Sequence, residues 1–245
     1  KDHPWIGDPK DPARMESARK VRWAMAMAID RQKIIETVMG GNARLIYTHA
    51  NILPDSPLHK PEWVIPFDPD KAKQYLKEAG YPTGFSLIIW RAPNVPIWDP
   101  EIGDAIAEMW RSNLGLKVTV ESTVYAARRP TTVDKTIDIP FIHGINYYSP
   151  IENVVVMIGA NPGHILGIEV EDNIFEIGMR NDTETDLKKR EQNTVAVQDY
   201  VSHWMLMSPV LQTGVFFVYR SEVLEWRPYS TTQEVFTNPE SIVMK

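Results

Sequence analysis

Apolar residues first fall into step in "SARKVRWAMAMAIDRQKIIETVMGG", where Val21, Ala24, Met25, Ala28 and Ile29 share one face at helical spacing. Asp30 breaks that face and is a residue type that caps helices. The pattern therefore predicts two helices meeting at Asp30, the second running from Arg31 to Met39 and stopped by Gly40–Gly41. The preceding "KDHPWIGDPKDPARM" has prolines and no period, and reads as an extended lead-in. "ANILPDSPLHKPEWVIPF", with four prolines, reads as a long loop. "DPDKAKQYLKEAGYP" is a complete helix signature: Asp68 caps, Pro69 takes the first turn, Gly80 ends the helix and Pro82 follows.

The period then changes. "FSLIIW" (85–90) is an apolar, partly β-branched run of strand length. "DPEIGDAIAEMWRSNLG" repeats the Asp-Pro opening at Asp99–Pro100 and stops near Gly115. "LKVTVEST" supplies a strand at 117–122, and "TIDIPFI" a third at 136–142. Strand, helix and strand have the lengths of a right-handed βαβ crossover with parallel strands. Open α/β sheets bind ligands at the carboxyl ends of their strands. If all three strands are parallel, the loops "RAPNVPIW" and "HGINYYSP" share that edge. Further on, "VEDNIFEIGM" predicts a short helix. "DTETDLKKREQNTVAVQDYVSHWML" predicts a long amphipathic one with Leu187, Val195, Val197, Val201 and Trp204 available for packing. "PVLQTGVFFVYR" (209–220) is the last clear strand, and the tail after it is weakly periodic. No internal repeat or low-complexity tract is visible.

Composition narrows the function. The 245 residues are 43% apolar and 24% charged, and no apolar run nears the ~18–20 residues of a membrane helix. A net charge of −6 without a long basic block argues against nucleic acid; "ARRP" and "LKKRE" are the densest basic spots. The absence of cysteine removes disulfides, thiolate metal sites and a cysteine nucleophile. The sequence shows no phosphate-binding glycine loop, dinucleotide fingerprint or serine nucleophile elbow. Its six histidines include no metal-binding i, i+4 pair, so no cofactor is expected. Eight tryptophans and nineteen prolines point to fixed loops and to a bulky core or an aromatic-lined cleft.

Several aromatics fall on the two loops at the candidate edge. Trp90 ends the first strand, Trp98 ends the loop after it, and Tyr147 and Tyr148 lie on the other loop. Rings at a pocket mouth stack on sugars, peptide side chains or aromatic solutes. Arg91, the one cation in its loop, can pair with a ligand carboxylate or with a carboxylate of its own chain. Trp23, Trp110 and Trp204 read as helix-packing residues.

Several stretches resemble the extracellular solute-binding proteins of family 5, the oligopeptide-, dipeptide- and nickel-binding subunits of ABC importers. They are "VRWAMAMAIDRQKIIETVMGG", "FDPDKAKQYLKEAGYPTGFSLIIW", "GLKVTVEST" and "IDIPFIHGINYYSPIENV", followed by the closing helix and strand from Glu184 to Trp226. The "AIDR" and "DP.KAK..LKEAGYP.GF" motifs are the specific ones. The resemblance implies an α/β lobe of the type II periplasmic-binding-protein kind, with a mixed, mostly parallel sheet flanked by helices. It also implies the C-terminal half of a two-lobed protein. Residues 1–15 would be a hinge crossing, 16–215 the second lobe, and 216–245 a tail returning to the first lobe. The tail after about Ser221 would be poorly ordered without its partner lobe, or docked on a neighbouring molecule.

The family's ligand residues carry over in part. In dipeptide-binding members an aspartate pairs with the peptide amino terminus; here Asn146 takes its place, and His143 stands at the family tryptophan. Pro96 falls at the arginine that holds the peptide carboxylate, with Arg91 five residues earlier and Asn94 between. Losing charge-assisted pairs of ~1.5–3 kcal/mol each changes the ligand class. The expected solute is neutral or aromatic-stacking, such as an oligosaccharide, or a longer peptide held by its backbone. Expected partners are that solute, the first lobe of the same protein and a membrane permease, at an extracytoplasmic location. Two rival readings are a hydrolase using His143 with Tyr147 or Tyr148, and a sensor subunit on the same fold. No local carboxylate orients His143 for general-base work.

Overall fold

A computed structural model describes residues 3–8, 10–93, 99–134, 136, 139–140, 171–213, 220–226 and 242–245. The first helix, α1 (Pro12–Met27), begins earlier than the lead-in reading allows. Asp11 caps it, accepting from the amides of Ala13 and Arg14, and Pro12 occupies the first turn. The same Asp-Pro signal was legible at 68–69 and at 99–100. At Asp11–Pro12 it sits within a stretch otherwise lacking periodicity. As expected, α2 (Arg31–Thr37) starts at its cap Asp30, which accepts from Lys33 N at 2.9 Å.

The break between α1 and α2 has a physical cause. The final carbonyls of a helix lack intrahelical donors, and those of α1 are buried with Met25, Ala26, Met27 and Ala28. Donors come from elsewhere in the fold. Trp110 Nε1 reaches Met25 O at 2.8 Å, Asp68 N reaches Met27 O at 3.0 Å, and Asn113 Nδ2 reaches Ala28 O at 2.8 Å. Arg31, 3% exposed, donates to Ala26 O and Ile29 O. The "AIDR" motif is therefore a buried helix end together with its capping cation.

After the short strand β1 (Ala43–Arg44), a loop crosses to α3 (Pro69–Glu78) through one 3-10 turn at Pro61–Trp63. Trp63 is 1% exposed, and its indole donates to Asp199 Oδ1 at 2.8 Å. It nucleates a second, smaller core with Ala50, Ile52, Ile174, Val197 and Val201. The main core lies between α1, α3, α4 (Asp99–Leu114) and the pair β2 (Ser86–Arg91) and β3 (Lys117–Ser122). These strands are parallel and in register from Ser86↔Lys117 to Arg91↔Ser122. Leu87, Ile89 and Val118 turn inward against α4. Gly84 and Gly115, both at positive φ, bring the two strand starts together. A Cβ on Gly84 would lie 3.0 Å from Gly115 O.

The third expected strand falls largely outside the described residues. Within them, Trp90 N donates to Pro140 O at 2.9 Å, so that segment borders β2 on the side away from β3. Then come α5 (Tyr125–Val133), α6 (Asp172–Thr183) and α7 (Leu187–Trp204). α7 buries Val197 and Val201 as its pattern predicts, but Leu187 is 69% exposed. Leu187 sits in the first turn, beside the cap Asp186, and packs on neither core cluster. β4 (Gln212–Thr213) pairs antiparallel with β1, and β5 (Val223–Glu225) pairs antiparallel with β6 (Val243–Met244). The strand expected over 209–220 is described only as β4, since 214–219 lie outside the described residues. The expectation for the tail likewise falls mostly on 227–241, which also lie outside them.

Candidate functional site

The βαβ unit places Trp90 and Arg91 at the carboxyl end of β2, level with Glu121 and Ser122 of β3. Successive strand residues point to opposite faces, so Trp90 and Arg91 diverge. Arg91 shares the face of Leu87 and Ile89 and meets α4, its Nε lying 3.5 Å from Asp104 Oδ1. That is an ion pair beyond hydrogen-bond length. Among the described residues the buried Nε has no hydrogen-bond partner, while the Asp104 side chain is 56% exposed. Arg91 thus takes the intraprotein role that its sequence context allowed, through a loose contact.

Trp90 turns to the other face and is 2% exposed. Its Nε1 donates to Thr123 O at 2.9 Å, and the ring of Tyr125 stacks on it at 6.3 Å and 12°. The guanidinium of Arg128 stands 6.0 Å from the ring centroid and pairs with Glu121, which also accepts from Thr123 Oγ1 at 2.9 Å. The Arg128 hydrogen bond, followed by that of Thr123, holds the Glu121 carboxyl below the usual carboxylate range. The open ring expected at a pocket mouth is instead stacked on Tyr125 and Arg128. Trp90 stiffens the edge from beneath. Tyr125, Arg128 and Glu121 were not singled out by sequence reasoning. The "ARRP" basic spot and the register of Glu121 opposite Trp90 were the available signals.

Trp90 and Arg91 are the members of the expected site that fall within the described residues. Asn94, Trp98, His143, Asn146, Tyr147 and Tyr148 lie outside them. A separate cavity of about 680 Å³ opens toward the amino ends of the strands. His3 and Trp5, stacked at 4.8 Å, line it with Ser86, Ile88, Lys117 and Thr119. It lies at the opposite end from the edge where α/β sheets bind ligands. Among the described residues no three His, Asp or Glu side chains converge as a metal site, and no helix is long and apolar enough to cross a membrane.

Residues 11–163 match the family model "Bacterial extracellular solute-binding proteins, family 5 Middle". The chain belongs to this family. The matched region opens at the cap of α1 and contains the whole β2–α4–β3 unit with its carboxyl-end edge. Among family-5 relatives, the haem-binding protein A of Haemophilus influenzae is 34% identical over 122 residues, covering 44% of this chain and 21% of that protein. Two solved structures share the fold. NikA from Brucella suis in complex with Fe(III)-EDTA has a TM-score of 0.72 at 19% identity, covering 98% of this chain and 49% of that one. A dipeptide-binding protein from a Pseudoalteromonas species, in complex with Met-Leu, has a TM-score of 0.67 at 23% identity, covering 80% and 39%. The chain thus spans half or less of each of these proteins. The family assignment agrees with the α/β lobe of binding-protein type expected from the motifs.

Proposed function

We propose that this chain is the second lobe of an extracytoplasmic solute-binding protein that serves an ABC importer, and that it performs no chemistry. The observation that carries the reading is the parallel β2–α4–β3 unit of a family-5 chain, whose carboxyl-end edge is braced by the Trp90–Tyr125–Arg128–Glu121 cluster. In this reading the segments 92–98 and 141–150, which follow that edge in the sequence, form one wall of a solute cleft. Residues 1–15 and roughly 208–220 are the crossings to a first lobe, with 216–245 returning to it. Closure of two lobes about the solute then presents the protein to a membrane permease.

The solute we favour is a peptide or peptide-like molecule held chiefly by its backbone. Asn146 and Pro96 replace the two ionic anchors of dipeptide-binding members, and Arg91 retains a loosely paired guanidinium at the edge. Trp98, Tyr147 and Tyr148 supply stacking surface, and an oligosaccharide remains the second class that such rings suit. His143 and Asn146 supply polar contacts, with Asn94 on the opposite loop. Calorimetry on the intact two-lobed protein tests this with free dipeptides, longer peptides, haem, glutathione and oligosaccharides. Longer peptides are expected to bind with little dependence on a charged amino terminus. Tight dipeptide binding that requires that charge would refute the ligand class. Turnover of any of these compounds that is lost in His143→Ala would favour the hydrolase.

A further inference from the structure

The segment entering α1 and the segment leaving α7 meet on one side chain. Arg22, on α1, donates from Nη1 to Trp5 O at 2.7 Å and from Nε to Trp204 O at 2.8 Å. Trp5 lies ahead of α1, and Trp204 is the last residue of α7. The neighbouring Trp23 Nε1 donates to His203 O at 3.1 Å. Backbone turns at Met205 and Leu206 return to Ser202 O and Val201 O. All four terminal carbonyls of α7 are therefore engaged, two of them by side chains of α1. Further along the outgoing segment, Arg31 reaches Ser208 Oγ at 3.0 Å and Pro209 O at 2.9 Å. Beyond it β4 pairs with β1.

The partners of Arg22 are carbonyls, and its charge sits at the negative end of the α7 dipole. Its Nη2 is buried and has no hydrogen-bond partner among the described residues. A guanidinium can join two carbonyls from separate segments because its donors diverge in a fixed plane. A lysine ammonium on a flexible stem does not hold that geometry. Arg22 is accordingly placed as a fastener between two parts of the chain, with no carboxylate to serve.

We propose that Arg22 is a positioning residue for the connection between lobes: it fastens the incoming and outgoing segments to each other, so that they bend as one unit. The proposal rests on the two-lobe reading above. With the segments joined at Trp5 and Trp204, the incoming one cannot bend independently of the outgoing one. Without Arg22 the incoming segment is released from the outgoing one, which Arg31 and the β4–β1 pair still hold, so the open lobes sample a wider range and ordering them around a solute becomes less favourable.

The test is a spin-label distance measurement on the intact protein, with one label at Lys73→Cys, an exposed position on α3, and one on the first lobe. It is made ligand-free and again with a tryptic peptide digest, haem or glutathione. Arg22→Lys is expected to widen the ligand-free distance distribution by about twofold, because one ammonium cannot hold both carbonyls. Trp23→Phe, which removes the His203 bond and some ring packing but leaves Arg22 in place, widens it less and keeps the test open if Arg22→Lys does not fold. A ligand-responsive wild type whose variants lose thermal stability but keep the wild-type distribution would show that Arg22 is merely structural, and would overturn the proposal. A wild type with one fixed distance under every condition would instead sink the two-lobe reading, and the fastener with it.

Discussion

Replacing Arg31 with methionine keeps the alkyl stem and removes the guanidinium. The side chain is 3% exposed and donates four hydrogen bonds: to Ala26 O at 3.0 Å, Ile29 O at 3.2 Å, Ser208 Oγ at 3.0 Å and Pro209 O at 2.9 Å. Ala26 O keeps a second donor, Ile29 N at 3.4 Å. The other three acceptors lose this partner, at ~1–3 kcal/mol each, the exposed Ser208 hydroxyl at the low end because it can turn to water. Against that stands relief of burying a cation, since burial pulls the Arg31 pKa down from its ordinary value to about 10. That gap corresponds to about 3 kcal/mol at ~1.4 kcal/mol per unit. The net expectation is a loss of about 2 kcal/mol, below the range for breaking a buried charged contact because one acceptor is exposed. For a chain of this size it lowers Tm by about 4–8 °C. Chemical unfolding followed by tryptophan fluorescence measures it. Arg19→Met is the control. Arg19 makes a shorter, 2.6 Å ion pair with Glu16, but that pair is partly exposed, so its loss is expected to cost under ~1 kcal/mol. An Arg31→Met protein within ~0.5 kcal/mol of wild type would refute the argument that the buried carbonyls of the α1 end depend on this cation.

Three further outcomes follow from the same geometry. Gly84→Ala places a Cβ at φ +73° and 3.0 Å from Gly115 O, and is expected to destabilise by ~1–3 kcal/mol, read as a lower denaturation midpoint. Trp90→Ala removes a 2%-exposed indole and its bond to Thr123 O, so a loss of ~3–5 kcal/mol is expected by calorimetry. A small loss would mean the edge is not braced by this ring. The folded-state pKa of Glu121 is depressed, first by Arg128 and then by Thr123. Its contribution is therefore present above the unfolded carboxylate pKa and is lost as pH falls through the folded value. Glu121→Gln should flatten the acid limb of the stability profile below about pH 4.5 and leave the neutral-to-alkaline limb unchanged in shape.

Much of the lobe was legible from local signals. The caps at Asp30 and Asp68, the glycine stop at Gly80 and the alternation through 117–122 each depend on a few neighbouring residues, and each element forms where those residues place it. The parallel pairing of β2 and β3 followed from the length of the segment between them. The start of α1 was misplaced because its cap lies in a stretch without hydrophobic period, where only the Asp-Pro pair marks the change. Trp63 was unreadable in advance. Its burial depends on Asp199 and on a small core assembled from segments far apart in sequence, and no local pattern reports that.

The site divides the same way. The expectation that ligand-bearing loops follow β2 and a third strand rests on βαβ connectivity, which hydrophobic spacing and turn residues specify along the chain. Whether a given ring faces solute or protein is decided by what packs against it. Trp90 reads as a pocket ring in sequence, but α5 comes over the sheet edge and stacks Tyr125 and Arg128 on it. Arg22 and Arg31 read as ordinary polar positions on helical patterns. Their burial follows only once the ends of α1 and α7 are brought together and their unpaired carbonyls need donors. The sequence by itself determined the elements, their order and the family, because those rest on short-range periodicity and on motifs. The tertiary structure alone decided which cations and rings are consumed in satisfying buried backbone, because that demand arises only when distant helix ends meet.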